Sequence, residues 1–267
     1  MSRRPPSATS AISTTEIQKP DTMSIIIRLY RIAALILWIM IIILISAPYR
    51  FRRGWHGVRT MSGFAHLWTK GVAKIVNLRV MISGEIPSTE GCLIVSNHLS
   101  YVDIIAHGSV LAVRYSPKTD IAKWPLLGWY LGLSRPIWID RRSRQASKKA
   151  LSDFAETMKN GIHLIVYPEG TSTDGKSGIL PFKSTSFEAA IEGGAPVLPV
   201  ITRYKESRGM PEVCWYGDMT LLPHVWQVLG APRIDVELRF LSPVLPEGRS
   251  RKELASYVHD VMNKEYA

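Results

Sequence analysis

Cysteine is almost missing from this chain. Cys92 and Cys214 are the two among 267 residues, and they lie far apart. That count excludes a disulfide scaffold, and their separation excludes a cysteine-paired metal centre. Cys92 falls in an apolar run, where a thiol is a core side chain, which is consistent with a reducing, cytosol-facing setting. Acidic residues are also short: 22 Asp and Glu against 33 Lys and Arg, a net charge of +11. The imbalance points to an anionic partner, which would be a membrane surface, an acidic carrier protein or nucleic acid. Nucleic acid is set aside, because no recognised module is present and the positive charge is spread out. The seven histidines lack ligand spacing with cysteines or carboxylates, so no metal is expected. There is no internal repeat. With 46% hydrophobic residues, the chain can bury one sizeable core.

Long apolar runs are missing too, with one exception. Residues 25–47 are almost wholly apolar, broken by Arg28, Tyr30 and Arg31. The uninterrupted part, 32–47, is marginal for a membrane span, and the longer segment suffices if the two arginines snorkel. A long polar stretch before it, and no small-x-small site before Pro48, argue against a cleaved signal peptide. Arginines flank both sides (Arg28 and Arg31; Arg50, Arg52 and Arg53), so charge bias leaves orientation undecided. A single span and a helix dipping into one leaflet both fit. Three regions follow: a disordered Ser/Thr/Pro-rich tail at 1–24, with Met23 a candidate start; a membrane-associated helical segment at 25–75; and the domain carrying the chemistry at 76–267.

Downstream, residues 55–76 read as a second helix, with Phe64, Leu67, Trp68, Val72 and Ile75 at helical spacing. Residues 78–82 and 92–96 read as strands separated by a turn at 84–90, and 163–167, 196–201 and 235–240 as further strands. Residues 145–160 form an amphipathic helix striped by Ala150, Leu151, Phe154, Ala155 and Met158, with Gly161 as its stop. Residues 185–193 give a short helix, and a final helix opens on the capping box Ser250-x-x-Glu253. Strands alternating with helices predict an α/β domain with a largely parallel central sheet flanked by helices. Active residues should gather at strand ends.

The run 92–96 ends in Asn97-His98-Leu99-Ser100-Tyr101-Val102-Asp103. A histidine at a strand end with a carboxylate five positions on is a candidate base with its orienting partner. Three more segments agree with it: Pro136-Ile137-Trp138-Ile139-Asp140-Arg141, Tyr167-Pro168-Glu169-Gly170-Thr171-Ser172, and Ala195-Pro196-Val197-Leu198-Pro199-Val200. In order and separation, over about 75–245, these resemble the four blocks of the 1-acyl-glycerol-3-phosphate acyltransferase family.

The resemblance implies acyl transfer from acyl-carrier protein or acyl-coenzyme A, as co-substrate and with no further cofactor, to a lysolipid hydroxyl. It implies an N-terminal helical pair holding the domain on the cytoplasmic face of the inner membrane. His98 would take the hydroxyl proton, and Asp103 would fix its tautomer and stabilise the imidazolium, as in a catalytic triad with the substrate hydroxyl in the serine's place. Glu169, Gly170 and Thr171 would shape the acceptor site, with Glu169 positioning the glycerol region. Lys118, Arg141 and Lys183 are candidate anion contacts. The chain departs from the family at Ser172, where arginine usually follows Glu-Gly-Thr, and at Ser184-Thr185, where Lys-x-Gly is lost. Losing a bidentate arginine is not a conservative change. The segment Glu169–Gly175 with 180–184 also resembles the bacterial branch that acylates lyso-ornithine lipid, whose headgroup offers an ammonium and a carboxyl rather than a phosphate. Asp174 would then meet the ammonium. The expected acceptor is 1-acyl-glycerol-3-phosphate, with lyso-ornithine lipid second and a catalytically silent membrane-anchored binding protein as the non-enzymatic alternative. The basic run Arg141-Arg142-Ser143-Arg144 with Lys148 and Lys149 would dock anionic headgroups or an acidic carrier protein.

Overall fold

The computed structural model describes residues 22–86, 91–124, 127–140, 142–205 and 210–267. At its centre lies β2 (Leu93–Ser96), every residue of which is buried. A strand covered on both faces reads as a continuous apolar run, which is what 92–96 is. Leu93 and Val95 enter one hydrophobic layer, and Cys92 and Ile94 the other. β2 pairs in parallel with β4 (His163–Val166) on one side and β5 (Val197–Tyr204) on the other. Across the sheet the order is β1 (Leu78–Ser83), β6 (Ile234–Phe240), β5, β2, β4, β3 (Val113–Arg114). Only the β5–β6 pairing is antiparallel among the described strands, so the sheet is largely parallel, as the alternation of elements predicts.

Helices cover both faces. α2 (Gly54–Ile75), α3 (Val102–Val110) and α8 (Leu221–Leu229) pack on the Ile94 side. α6 (Arg144–Lys159), α7 (Thr185–Gly193) and α9 (Arg251–Tyr266) pack on the Val95 side. Their ends are set by sequence. The Ser143 hydroxyl caps α6 by accepting from the Ala146 amide at 3.1 Å, and the expected Ser250–Glu253 capping box starts α9. Two short helices not anticipated from periodicity, α4 (Thr119–Ala122) and α5 (Leu127–Leu133), lead from β3 toward α6. The chain leaves β2 toward β3 and leaves β5 toward β6, in opposite directions, which opens a crevice at the carboxyl ends of the adjacent strands β2 and β5.

The expected N-terminal tail lies outside the described residues but for its last three, and so do residues 87–90 of the expected turn at 84–90. α1 (Thr22–Ser46) is followed by a 3-10 turn, Ala47–Phe51. The helix is long and apolar enough to cross a membrane. Its two arginines do not snorkel into water. Arg31, 6% exposed, donates to the Leu229 carbonyl at 2.9 Å and the Ala231 carbonyl at 2.5 Å, at the negative end of α8. Arg28 donates to the Trp226 carbonyl at 2.8 Å and lies over the Trp226 ring. Midway, Trp38 Nε1 donates to the Trp68 carbonyl at 3.0 Å, and the Trp38 ring fills the place a Cβ on Gly71 would take. Just past the far end, Arg135 donates to the carbonyls of Arg50 and Arg52, both at 2.7 Å. Both ends of the α1 segment are therefore tied to the same domain. The opposite stripe of α1, including Ile26, Leu29, Leu37, Met40 and Leu44, stays bare.

Candidate functional site

The site begins where β2 stops. Asn97 is buried and bonds Thr202 of β5 twice: its amide nitrogen donates to the Thr202 carbonyl at 3.0 Å, and its oxygen accepts from the Thr202 amide at 2.8 Å. A side chain thus replaces the next rung of the ladder and lets the backbone turn away. The turning loop is fastened on both sides. The His98 carbonyl accepts from the Thr173 amide at 3.0 Å, and the Leu99 carbonyl from the Trp215 amide at 2.7 Å. The His98 amide donates to Glu169 Oε1 at 2.7 Å.

Asp103 sits in the first turn of α3, where the helix dipole favours a carboxylate. It is completely buried, and the loop wraps around it. Oδ2 accepts from the Leu99 amide at 2.8 Å, the Ser100 amide at 3.0 Å and His98 Nδ1 at 2.8 Å. The five-position separation is what lets two loop amides and one imidazole converge on one oxygen. Burial acts to raise this carboxyl, but the bonds from His98, Tyr204 and Ser100 outweigh it and hold Asp103 below its ordinary value. An ionised carboxylate only accepts, so His98 carries its proton on Nδ1. Nε2 is left as the basic nitrogen, with no hydrogen bond among the described residues, on a side chain 21% exposed. The ring stacks on Tyr167, centroids 4.2 Å apart at 20°.

Behind this pair lies a second histidine. His107 is buried, with Nδ1 2.8 Å from the Asp103 carbonyl and Nε2 3.3 Å from Thr202 Oγ1. A carbonyl can only accept, so His107 donates from Nδ1 and accepts at Nε2. Burial depresses its basicity and keeps it neutral. The Tyr167 hydroxyl approaches the same Nδ1 at 3.3 Å.

The other expected residues distribute as follows. Glu169 is buried, and both its oxygens serve backbone amides: Oε1 takes His98, and Oε2 takes Leu180 at 2.9 Å. Burial pushes this carboxyl above its ordinary value, against the two amide bonds. Gly170 has φ +77°, a left-handed conformation that favours glycine, and Lys183 Nζ lies 2.2 Å from where a Cβ would stand. Lys183 is exposed and fixed through its amide, which donates to the Pro168 carbonyl at 3.0 Å. Thr171 is exposed. Ser172, in the position where the resembled family carries arginine, donates its hydroxyl to the Trp215 carbonyl. Its role here is to fasten two loops. Lys118 follows β3, two strands from β2 in the sheet. It lines a pocket of about 260 Å³ with Thr119, Asp120, Ile139, Asp140 and Arg142. Arg141 lies outside the described residues. Asp174 accepts from the Lys176 amide at 3.1 Å in a local turn.

Tyr167, Tyr204, His107, Asn97 and Thr202 were not singled out from sequence. One signal was present. Thr202 and Tyr204 continue the every-second-residue face of Leu198 and Val200, so a buried apolar face turns polar just where the strand ends.

Comparison with known proteins follows the same lines. The family model described as Acyltransferase matches residues 77–203. A lyso-ornithine lipid O-acyltransferase from Brucella abortus is 33% identical over 223 residues, 77% of this chain and 80% of that protein. One from Pseudomonas aeruginosa is 32% identical, covering 70% of this chain and 72% of that protein. A 1-acyl-sn-glycerol-3-phosphate acyltransferase from Neisseria gonorrhoeae is 28% identical, covering 64% and 68%. The crystal structure of the 1-acyl-sn-glycerophosphate acyltransferase PlsC from Thermotoga maritima superposes with a TM-score of 0.67 at 24% identity, covering 91% of this chain and 95% of that one. At that identity the likeness carries the fold alone.

Proposed function

The chain belongs to the acyltransferase family, and from that footing we propose that it moves a fatty acyl group from an acyl thioester to the free hydroxyl of a lysolipid, with His98 as general base. The observation carrying this reading is the His98–Asp103 pair, with Nδ1 pinned and Nε2 open. Nε2 takes the proton of the acceptor hydroxyl as its oxygen attacks the thioester carbonyl. The tetrahedral intermediate collapses, the C–S bond breaks, and the imidazolium returns the proton to the departing sulfur. Asp103 stabilises the imidazolium in between. Glu169 acts at one remove, holding the His98 loop and the Leu180 segment in register so that the acceptor is met by a fixed surface.

Sequence alone puts 1-acyl-glycerol-3-phosphate first as acceptor. Two observations support taking lyso-ornithine lipid first instead. Ser172 is committed to the Trp215 carbonyl and offers no cation, and two relatives above 30% identity carry the lyso-ornithine name. In this reading Lys183 meets the headgroup carboxyl and Asp174 the ammonium. The pocket with Lys118 and Arg142 favours the phosphate-bearing acceptor as second reading. The donor is acyl-carrier protein or acyl-coenzyme A, serving as co-substrate, and both are anionic. Exposed Arg142 lines the Lys118 pocket, and with the exposed Lys148 and Lys149 of α6 it complements that charge. α1 lies in one leaflet of the inner membrane with the catalytic domain on the cytoplasmic side. A crossing would have to separate two ends that are bonded to one domain.

The test is a paired assay on membranes carrying wild type or His98→Ala, with each lysolipid and each donor. We expect ornithine lipid from wild type, and a loss of about 10²- to 10⁴-fold in the variant. Phosphatidic acid alone would move the assignment to the second reading, and undiminished product from His98→Ala would sink the mechanism.

A further inference from the structure

Asp103 has two oxygens, and only one addresses His98. Oδ2 already holds three donors: Nδ1 of His98 and the amides of Leu99 and Ser100. Oδ1 holds one, the Tyr204 hydroxyl, at 2.6 Å. The carboxylate is completely buried, so no bulk solvent reaches Oδ1. Tyr204 is the last residue of β5, and β5 is locked to the catalytic loop two residues earlier by the pair of hydrogen bonds between Asn97 and Thr202. The hydroxyl is therefore delivered by the sheet itself and not by a mobile loop.

We propose that Tyr204 is a positioning residue of the acyl transfer: its hydroxyl takes up Asp103 Oδ1, fixes the carboxylate plane, and sets how much negative charge Asp103 presents to His98. The inference rests on the reading of His98 as base. Its chemistry follows from the two jobs of that imidazole. Nε2 must accept a proton from an alcohol and then surrender it to a leaving sulfur. A carboxylate with full charge on Oδ2 would favour the first job and impede the second. A phenol on Oδ1 draws charge away and keeps both within reach. Burial and the neighbouring Asp103 push the Tyr204 phenol well above its ordinary value, so it remains a donor throughout the working range.

The other ionisable groups around this pair come from separate elements: Tyr167 and Glu169 at the end of β4, His107 on α3, Cys214 in the segment before α8, Asp174 in the loop after Ser172, and Lys183 over Gly170. Tyr204→Phe changes none of them. It keeps the ring and removes one hydroxyl.

The experiment is the pH dependence of kcat/KM for wild type, Tyr204→Phe and His98→Ala, with melting temperature recorded for each. The acid limb reports the imidazole that must be neutral to act. Tyr204→Phe leaves more charge on Asp103, so the limb should move up by about one pH unit, with kcat about tenfold lower and acceptor KM unchanged. Replacing Tyr204 by 3-fluorotyrosine, a stronger donor of nearly the same shape, should move the limb the opposite way. It also gives a readout if the phenylalanine variant fails to fold. A limb unmoved in both replacements overturns the proposal, whatever happens to melting temperature, because a purely structural hydroxyl would lower stability alone. If His98→Ala keeps its activity, the base assignment fails. If His98→Ala is inactive while Tyr204→Phe matches wild type in limb and kcat, only the role of Tyr204 fails.

Discussion

At the scale of single residues, the site is a set of buried polar groups whose protonation is fixed by what they touch, and stability should therefore follow pH in a defined way. His107 and His224 are both held neutral by burial, below their ordinary value of 6.5. An unfolded chain takes up protons at both once the pH drops below about 6.5, and the folded chain does not, so stability declines from there downward. Asp103 is ionised in the fold below its ordinary value of 3.8, so its contribution is intact above that value and is lost as pH falls further. Glu169 works in the opposite sense around 4.5, since its folded form binds a proton more readily than the unfolded one. The melting temperature should hold above pH 7 and decline between pH 6.5 and 5, and His107→Gln should flatten that decline. A melting temperature unchanged from pH 7 to 5 would contradict this account. Asp103→Asn should leave the fold in place but lower kcat by about 10³- to 10⁴-fold, because the neutral amide no longer stabilises the imidazolium; acyl transfer beside circular dichroism would read both. His98 and Asp103 were singled out because they lie five positions apart, between a strand end and the first turn of α3, and because three further segments agreed with them. Tyr204 and His107 were not. Their bonds depend on β5 lying beside β2, a matter of strand order that local periodicity does not encode.

At the scale of elements, legibility tracked how completely each segment states its own boundaries. α6 has a cap, a stripe and a glycine stop, so both its ends lie within a residue of those expected, and α9 starts at its expected capping box. β2 and β4 are short apolar runs bounded by polar turns. α8 went unread because its nine residues include Pro223 and a nearly continuous apolar run with no capping side chain. Its task is tertiary: it receives α1. The arginines of α1 looked like snorkelling groups because a sequence read alone offers them only water. The fold offers the carbonyls at the end of α8. Arg31→Ala should leave those carbonyls unpaired and cost about 1–3 kcal/mol, read as a lower melting temperature and faster proteolysis at the start of α1. Unchanged melting and cleavage would mean that the contacts of Arg28, Trp38 and Arg135 hold the α1 segment without Arg31. Ser143→Ala should cost about 1 kcal/mol through loss of the α6 cap, measured by denaturant titration.

At the scale of the whole molecule, one apolar stripe and an excess of positive charge act together. Ile26, Leu29, Leu37, Met40 and Leu44 face outward from α1, with Leu44 74% exposed, and the chain carries a net charge of +11. Binding to vesicles containing anionic lipid should weaken with added salt but not vanish, since screening removes the charge contribution and leaves the apolar one. Leu37→Lys with Leu44→Lys should release the protein into the soluble fraction on flotation, each lysine costing up to roughly 3 kcal/mol of insertion, while activity toward detergent-dispersed lysolipid survives. Retention on vesicles would mean that other surfaces carry the attachment. The pairing of α1 with α8 has a consequence for how the chain is made. Arg31 and its two acceptors are 198 and 200 residues apart, so at about 5–20 residues per second the ribosome needs roughly 10 to 40 s to deliver them. Throughout that interval the newborn anchor waits with Arg31 unpaired. A guanidinium without partners favours water or the interface over the bilayer interior, so Arg31 gains a buried place only when the carboxyl-terminal half of the chain arrives to pair with it.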